Sequence, residues 1–106
     1  MKTLVIGGTD GFGAAVADNF RTVGDVVVVG RSSSGVAPLE YACNVGDHHA
    51  WEVALRQIQA DHPVLDVIVA IVGYARLISA PLLTEEDWQL HWALNLEYVK
   101  QAYEVL

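Results

Sequence analysis

The chain has 106 residues, 53% of them hydrophobic, enough to build the core of one domain or part of one. Thirteen acidic residues against six basic ones give a formal net charge of −7 and leave no basic stripe, which excludes nucleic acid as a partner. A lone cysteine, Cys43, excludes an internal disulfide and points to a reducing, cytoplasmic setting. Met1-Lys2-Thr3 and the three apolar residues behind it are too short for a signal-peptide core. The most apolar window, 64–83, is broken by Asp66, Gly73, Arg76 and Pro81, so no membrane span is expected.

The first element is expected to be a short buried strand, Leu4-Val5-Ile6, running into the turn Gly7-Gly8-Thr9-Asp10-Gly11-Phe12-Gly13. A helix over 12–23 follows, with Phe12, Val16, Phe20 and Val23 at helical spacing and Gly24 as the stop. Such a strand, glycine turn and helix leaves backbone N–H groups at the helix start, pointing where a pyrophosphate can sit. Larger residues at the glycine positions would hold phosphates off or push the helix from the sheet. Dinucleotide binding is the first expectation, and an ordinary tight turn is its rival.

Val26-Val27-Val28-Val29 is a continuous β-branched run between Asp25 and Gly30, which suits a parallel strand buried on both faces. The polar loop Arg31-Ser32-Ser33-Ser34-Gly35 follows. Residues 39–45 read as a short third strand, and Asp47 caps a helix over 49–60 with Trp51, Leu55 and Ile58 on one side. Asp61-His62-Pro63 ends it. Residues 65–72 form the most apolar strand, and a loop over 73–83 leads to a cap at Thr84, with Asp87 standing where a capping box usually has Glu. The last helix carries Trp88, Trp92, Leu96, Val99 and Tyr103 as a stripe, read as core packing. The alternation of strands and helices predicts an α/β, Rossmann-like three-layer fold around a parallel sheet.

With these elements placed, the chain resembles the front half of the short-chain dehydrogenase/reductase family. Residues 6–13 match the turn Thr-Gly-x-x-x-Gly-x-Gly, with Ile6 in place of threonine. Asn44-Val45 stands where the family commonly has Asp-Val, a pair that contacts adenine. Ala70-Ile71-Val72-Gly73 stands where the family has Asn-Asn-Ala-Gly, and Asn95-Leu96 matches the Asn-Leu of its long helix. The resemblance implies a catalytic role for Asn95, whose family counterpart positions a water in the proton relay. A satisfied or surface asparagine is the alternative. It also implies cofactor contacts from Gly7, Gly8, Thr9, Asp10, Gly11, Phe12, Gly13, Asn44, Val45, Gly73 and the backbone of Ala70. Ala70 and Ile71 cannot make the hydrogen bonds of the paired asparagines. The family's serine and Tyr-x-x-x-Lys pair have no counterpart here, so this chain by itself is not expected to transfer hydride.

Arg31 lies 18 residues after Gly13, close to the ribose-reading distance of about 20 residues. An NAD-preferring site places a carboxylate at the end of the second strand, where this chain has Gly30. Arg31 offers a planar cationic fork suited to a 2′-phosphate, and Ser32 and Ser33 add hydroxyls. NADP(H) is therefore expected over NAD, with a solvated Arg31 as the rival and Asp10 opposing the bet. No metal spacing is visible in the histidines. Three functions stay open: the cofactor half of a reductase or dehydrogenase acting on a small carbonyl or alcohol, a non-catalytic dinucleotide-binding regulatory module, or a remnant that binds nothing. Strand 65–72 would otherwise lie uncovered at a sheet edge, so either a natural protein with a further, catalytic half or a partner strand or subunit is expected to cover it. A homo-oligomer through the 85–106 helix is the expected assembly, by analogy with the family.

Overall fold

A computed structural model describes residues 1–9, 11–31, 39–73 and 82–106. Its elements in chain order are β1 (Lys2–Ile6), α1 (Gly11–Arg21), β2 (Asp25–Gly30), β3 (Glu40–Ala42), α2 (His48–Asp61), β4 (Val67–Ala70) and α3 (Glu85–Trp92). A π-helical turn, Ala93–Glu97, then joins α3 to α4 (Tyr98–Val105). The strands form one parallel sheet in the order β3-β2-β1-β4. This is the Rossmann-like arrangement that the alternating pattern predicts.

The two central strands are covered on both faces, because successive residues of a strand point to opposite sides. Leu4, Ile6, Val27 and Val29 face a core with Trp51, Leu55 and Ile58 of α2 and Tyr98 and Ala102 of α4. Val5, Val26 and Val28 face Ala17 and Phe20 of α1. Asp66 fixes the start of β4 against β1: its carboxylate accepts from the Lys2 N–H at 2.7 Å, and its own N–H donates to the Lys2 carbonyl at 2.9 Å.

Several boundaries and faces differ from the sequence reading. The third strand spans only Glu40–Ala42, and the fourth only Val67–Ala70. Among the described residues β4 pairs with β1 alone, and it alternates half-buried and exposed residues, so its apolar run does not mark burial on two faces. In α1 the buried residues are Gly13 and Ala17, with Phe20 packed beside them, while Phe12 is 76% exposed and Val23 lies beyond the helix. The tight approach of α1 to the sheet selects small side chains there, and the larger Phe12 is left outside.

Both expected caps form. The Asp47 carboxylate accepts from the Ala50 N–H at 3.1 Å. Thr84 and Asp87 make the reciprocal capping box at 3.0 and 3.1 Å, so the shorter acid serves. The stripe on the last helix is the main correction. Trp88, Trp92, Leu96 and Tyr103 are exposed, and the helix turns Tyr98, Gln101 and Ala102 inward instead. Specific bonds set that rotation: the Trp51 indole N–H donates to the Tyr98 carbonyl at 2.9 Å, and the Gln101 amide to the His48 carbonyl at 3.1 Å.

Candidate functional site

The glycine turn is built by close approach rather than by flexibility alone. Gly7 has φ +94°, a left-handed conformation that side chains disfavour, and its N–H donates to the Val29 carbonyl at 2.7 Å. That bond ties the end of β1 to the end of β2. A Cβ on Gly13 would overlap the Gly7 carbonyl oxygen, so the first turn of α1 can sit on the loop only with glycine there.

A cleft of about 570 Å³ opens beyond the carboxyl ends of the strands. Its place is the one where open α/β sheets bind ligands: β1 is followed outward on one side by β2 and β3, and on the other by β4. One wall comes from Gly7, Thr9, Gly30 and Arg31. Cys43, Asn44 and Val45 form the side beyond β3, and Ile71, Val72, Gly73 and Leu94 close the far side. The described lining carries a hydroxyl, a guanidinium, a thiol and an amide, but no carboxylate or imidazole. Such a set binds and orients; it does not move protons near neutral pH.

Of the residues expected to hold cofactor, the structure brings Gly7, Thr9, Arg31, Asn44, Val45 and Gly73 around this cleft. Gly8 is buried against Val5 and Val28, and Gly13 beneath Gly7, so both shape the turn from behind. Gly11 and Phe12 are exposed on the first turn of α1. Ala70 ends β4 with its side chain exposed, and the lining begins one residue later, at Ile71. Asp10, Ser32 and Ser33 lie outside the described residues, as do Tyr74, Arg76 and Pro81 of the following loop.

Asn95 sits in the π-helical turn, exposed, with its Oδ1 3.5 Å from the position a Cβ on Gly73 would take. It therefore stands at the mouth of the cleft beside Gly73. π-turns inside helices recur at functional positions, because they push one side chain out of the helical register. Asn44 is fixed by a local turn, its Oδ1 accepting from the Gly46 N–H at 3.0 Å.

The sequence reading did not include Cys43, Ile71, Val72 and Leu94 in the site, and it treated Gly30 only as an absent carboxylate. Val72 matters most. Its carbonyl accepts from the Tyr98 hydroxyl at 2.7 Å, and Tyr98 is almost wholly buried. Burial raises the Tyr98 phenol pKa, so it stays a donor. Tyr98 on α4 and the Ile71 N–H, which donates to the Ile6 carbonyl at 2.9 Å, thus hold the segment after β4, where Ala70 and Ile71 offer no polar side chain. Burial, then the nearby Asp47 carboxylate, raises the Cys43 thiol, which leaves it protonated and unreactive.

Residues 2–103 match the short chain dehydrogenase family. The chain belongs to that family. It is 30% identical, over 88% of its length and 41% of the relative's, to D-threitol dehydrogenase of Mycolicibacterium smegmatis. Among solved structures, a short-chain dehydrogenase/reductase from Serratia marcescens superposes with a TM-score of 0.79 at 26% identity, covering 97% of this chain and 49% of the other. A 3-oxoacyl-(acyl-carrier-protein) reductase from Agrobacterium tumefaciens C58, solved with NADP bound, superposes with a TM-score of 0.83 at 21% identity, covering 98% and 45%. The chain therefore spans less than half the length of each of these relatives. Among the described residues, no helix is long and apolar enough to cross a membrane.

Proposed function

We propose that this chain is the NADP(H)-binding half of a short-chain oxidoreductase acting on a small carbonyl or alcohol substrate. The observation that carries the reading is the pairing of Gly30 with Arg31 at the end of β2, on the same wall as the Gly7 turn and Thr9. An adenosine laid between that wall and the Asn44-Val45 side would meet a guanidinium and no described carboxylate. A 2′-phosphate is the group such a wall favours. The Agrobacterium reductase was solved with NADP, which supports the same choice.

The residues fit the cofactor. Gly13 beneath Gly7 leaves the turn backbone free of side chains, as a pyrophosphate requires. When bound, the nicotinamide supplies the hydride acceptor or donor. This chain's own part is to bind and orient. Gly7, Gly8, Thr9, Gly11, Phe12 and Gly13, with Asp10, present the phosphate turn. Arg31 and Ser32 read the ribose phosphate. Asn44 and Val45 take the adenine, and Gly73 contributes backbone toward the nicotinamide side, with Ala70 set just before the lining. Asn95, at the mouth beside Gly73, would place a water for proton transfer to residues that a catalytic half must bring. A homo-oligomer through the exposed face of α3 and α4, in a cytoplasmic setting, completes the reading. One observation favours a regulatory, non-catalytic module instead: Ala70 and Ile71 carry none of the polar atoms that tie the family's cofactor pocket together.

The test is a fluorescence titration of the purified chain with NADPH and NADH. NADPH is expected to bind more than about 10-fold tighter, a difference that one charge-assisted contact supplies. Arg31→Ala should abolish that difference and leave NADH affinity unchanged. Equal affinity for the two in the unaltered chain would overturn the NADP(H) assignment.

A further inference from the structure

The end of β2 holds a contact that bears on which dinucleotide the cleft can accept. Gly30 closes the strand and lines the cleft, at the position that the reading above sets against the adenosine ribose. That space is already filled. A Cβ built on Gly30 would overlap Thr9 Oγ1, and would lie 2.6 Å from Thr9 Cγ2 and 3.0 Å from Thr9 Cβ. Thr9 reaches this position from the glycine turn, which the Gly7 N–H bond to Val29 holds against β2. Its side chain is β-branched and stiff, and presents three heavy atoms to Gly30 at once, so rotation about one bond cannot clear the clash. Thr9, Gly30 and Arg31 all line the cleft.

We infer that Thr9 is a specificity-determining residue: it occupies from the glycine turn the slot that an acidic side chain at position 30 would need, and so bars recognition of a 2′-hydroxyl by a carboxylate. The inference rests on the reading above that the cleft takes an adenine dinucleotide, and deepens it. A neutral hydroxyl and the Arg31 guanidinium remain to meet the ribose, and both accommodate a 2′-phosphate. Preference for the phosphorylated ribose is then set by two residues packed against each other, and changing position 30 alone cannot reverse it. The side chain at position 9 must shrink first.

The experiment compares the unaltered chain, Gly30→Asp, Thr9→Gly and the Thr9→Gly/Gly30→Asp double variant. The probes are 2′,5′-ADP and ADP, which differ at the ribose and need no nicotinamide half, with thermal melting as the folding readout. Gly30→Asp alone should lower the melting temperature and weaken both probes. The double variant should regain the melting temperature of Thr9→Gly and bind ADP tighter than 2′,5′-ADP by about 10-fold or more, the scale of a charge-assisted bond gained and a repulsion added. If Gly30→Asp folds like the unaltered chain and reverses the preference by itself, Thr9 bars nothing and the inference is overturned. If the double variant keeps the unaltered preference, it is overturned too. Failure of the unaltered chain to bind either probe would be a different result, removing the dinucleotide reading itself. In that case the melting temperatures still report whether Thr9 excludes a side chain at position 30.

Discussion

The β1-α1-β2 unit is built from less apolar sequence than the β4-to-α4 unit, yet among the described residues only the first is closed on itself. β1 and β2 have helices over both faces, and their core residues from Leu4 to Val29 are buried. Among the described residues β4 has a neighbour on one edge only, with Ile68 43% exposed, and the helix after it shows two tryptophans to solvent. Apolar patterning is therefore not a measure of burial within this chain. In the first unit it records contacts within the core; in the second it also records surface left open among the described residues.

The sharpest way to break the first unit is at its tightest point. Gly13→Val places a branched side chain on a backbone position where even a Cβ overlaps the Gly7 carbonyl. The expected outcome is loss of cooperative folding, read by circular dichroism and melting, since α1 and the turn cannot both keep their places. A Gly13→Val variant that melts like the original would mean the turn has another conformation.

The two units can next be compared through their tryptophans. Trp51 is fully buried and donates its indole N–H to the Tyr98 carbonyl, whereas Trp88 is 55% exposed. Trp51→Ala should cost about 3–5 kcal/mol in chemical denaturation, the range for large-to-small changes in a packed core. Trp88→Ala should change stability by no more than about 0.5 kcal/mol, as surface substitutions do. If the exposed face serves as an interface between copies, Trp88→Ala and Trp92→Ala should instead lower the sedimentation mass at a given concentration. Equal losses of stability at positions 51 and 88 would erase the distinction between the units.

The same distinction explains what could be read from sequence. The glycine turn, the valine strand, Asp47 and Thr84 each act over a few residues through backbone geometry, and such local constraints leave a direct mark on residue type. The stripe from Trp88 to Tyr103 misled because helical spacing names a face without naming its partner. The sequence names Tyr98 as a packing or loop residue and goes no further for the converse reason: its bond is to Val72, 26 residues away in sequence. Leu94 enters the cleft only through the rotation of the last helix, which the sequence does not display. The third strand was read too long because Cys43, Asn44 and Val45 are apolar or small enough to extend it. Yet the Asn44 side chain takes the Gly46 N–H and turns the chain out of the sheet.

A smaller perturbation sharpens the link between the units. Tyr98→Phe keeps the ring in the core but removes the donor to the Val72 carbonyl, a loss of about 1 kcal/mol. Because Val72 lines the cleft, the variant should also weaken NADPH binding several-fold while Arg31-dependent discrimination is kept. A melting change without any change in nucleotide affinity would confine Tyr98 to the core and separate the cleft from α4.

The smallest expected effect lies at the sheet edge opposite β4, where Tyr41 of β3 bonds to Asp61 at the end of α2. The Tyr41 hydroxyl donates to Asp61 Oδ2 at 2.5 Å, and the Gln57 amide donates to Oδ1 at 3.0 Å. These bonds, that from Tyr41 foremost, hold the Asp61 carboxyl below its ordinary range. A carboxylate depressed in the folded state stabilises it above the unfolded pKa, and the contribution is lost as pH falls through the lowered folded value. The Tyr41 phenol is raised, by burial first and then by Asp61. Its contribution is complete below the ordinary tyrosine value of about 10 and is lost as pH rises beyond it. Stability should therefore fall at both extremes, and Tyr41→Phe should flatten the acid limb strongly. The alkaline limb should be flattened only in part, since Tyr98 is raised as well. Asp61 is half-buried and its shift comes first from short hydrogen bonds, so the acid limb should change little with salt. Melting curves across pH at low and high salt measure both limbs. An acid limb unaltered in Tyr41→Phe would show that β3 is held by α2 through packing alone, as β4 is held by β1 through its ladder.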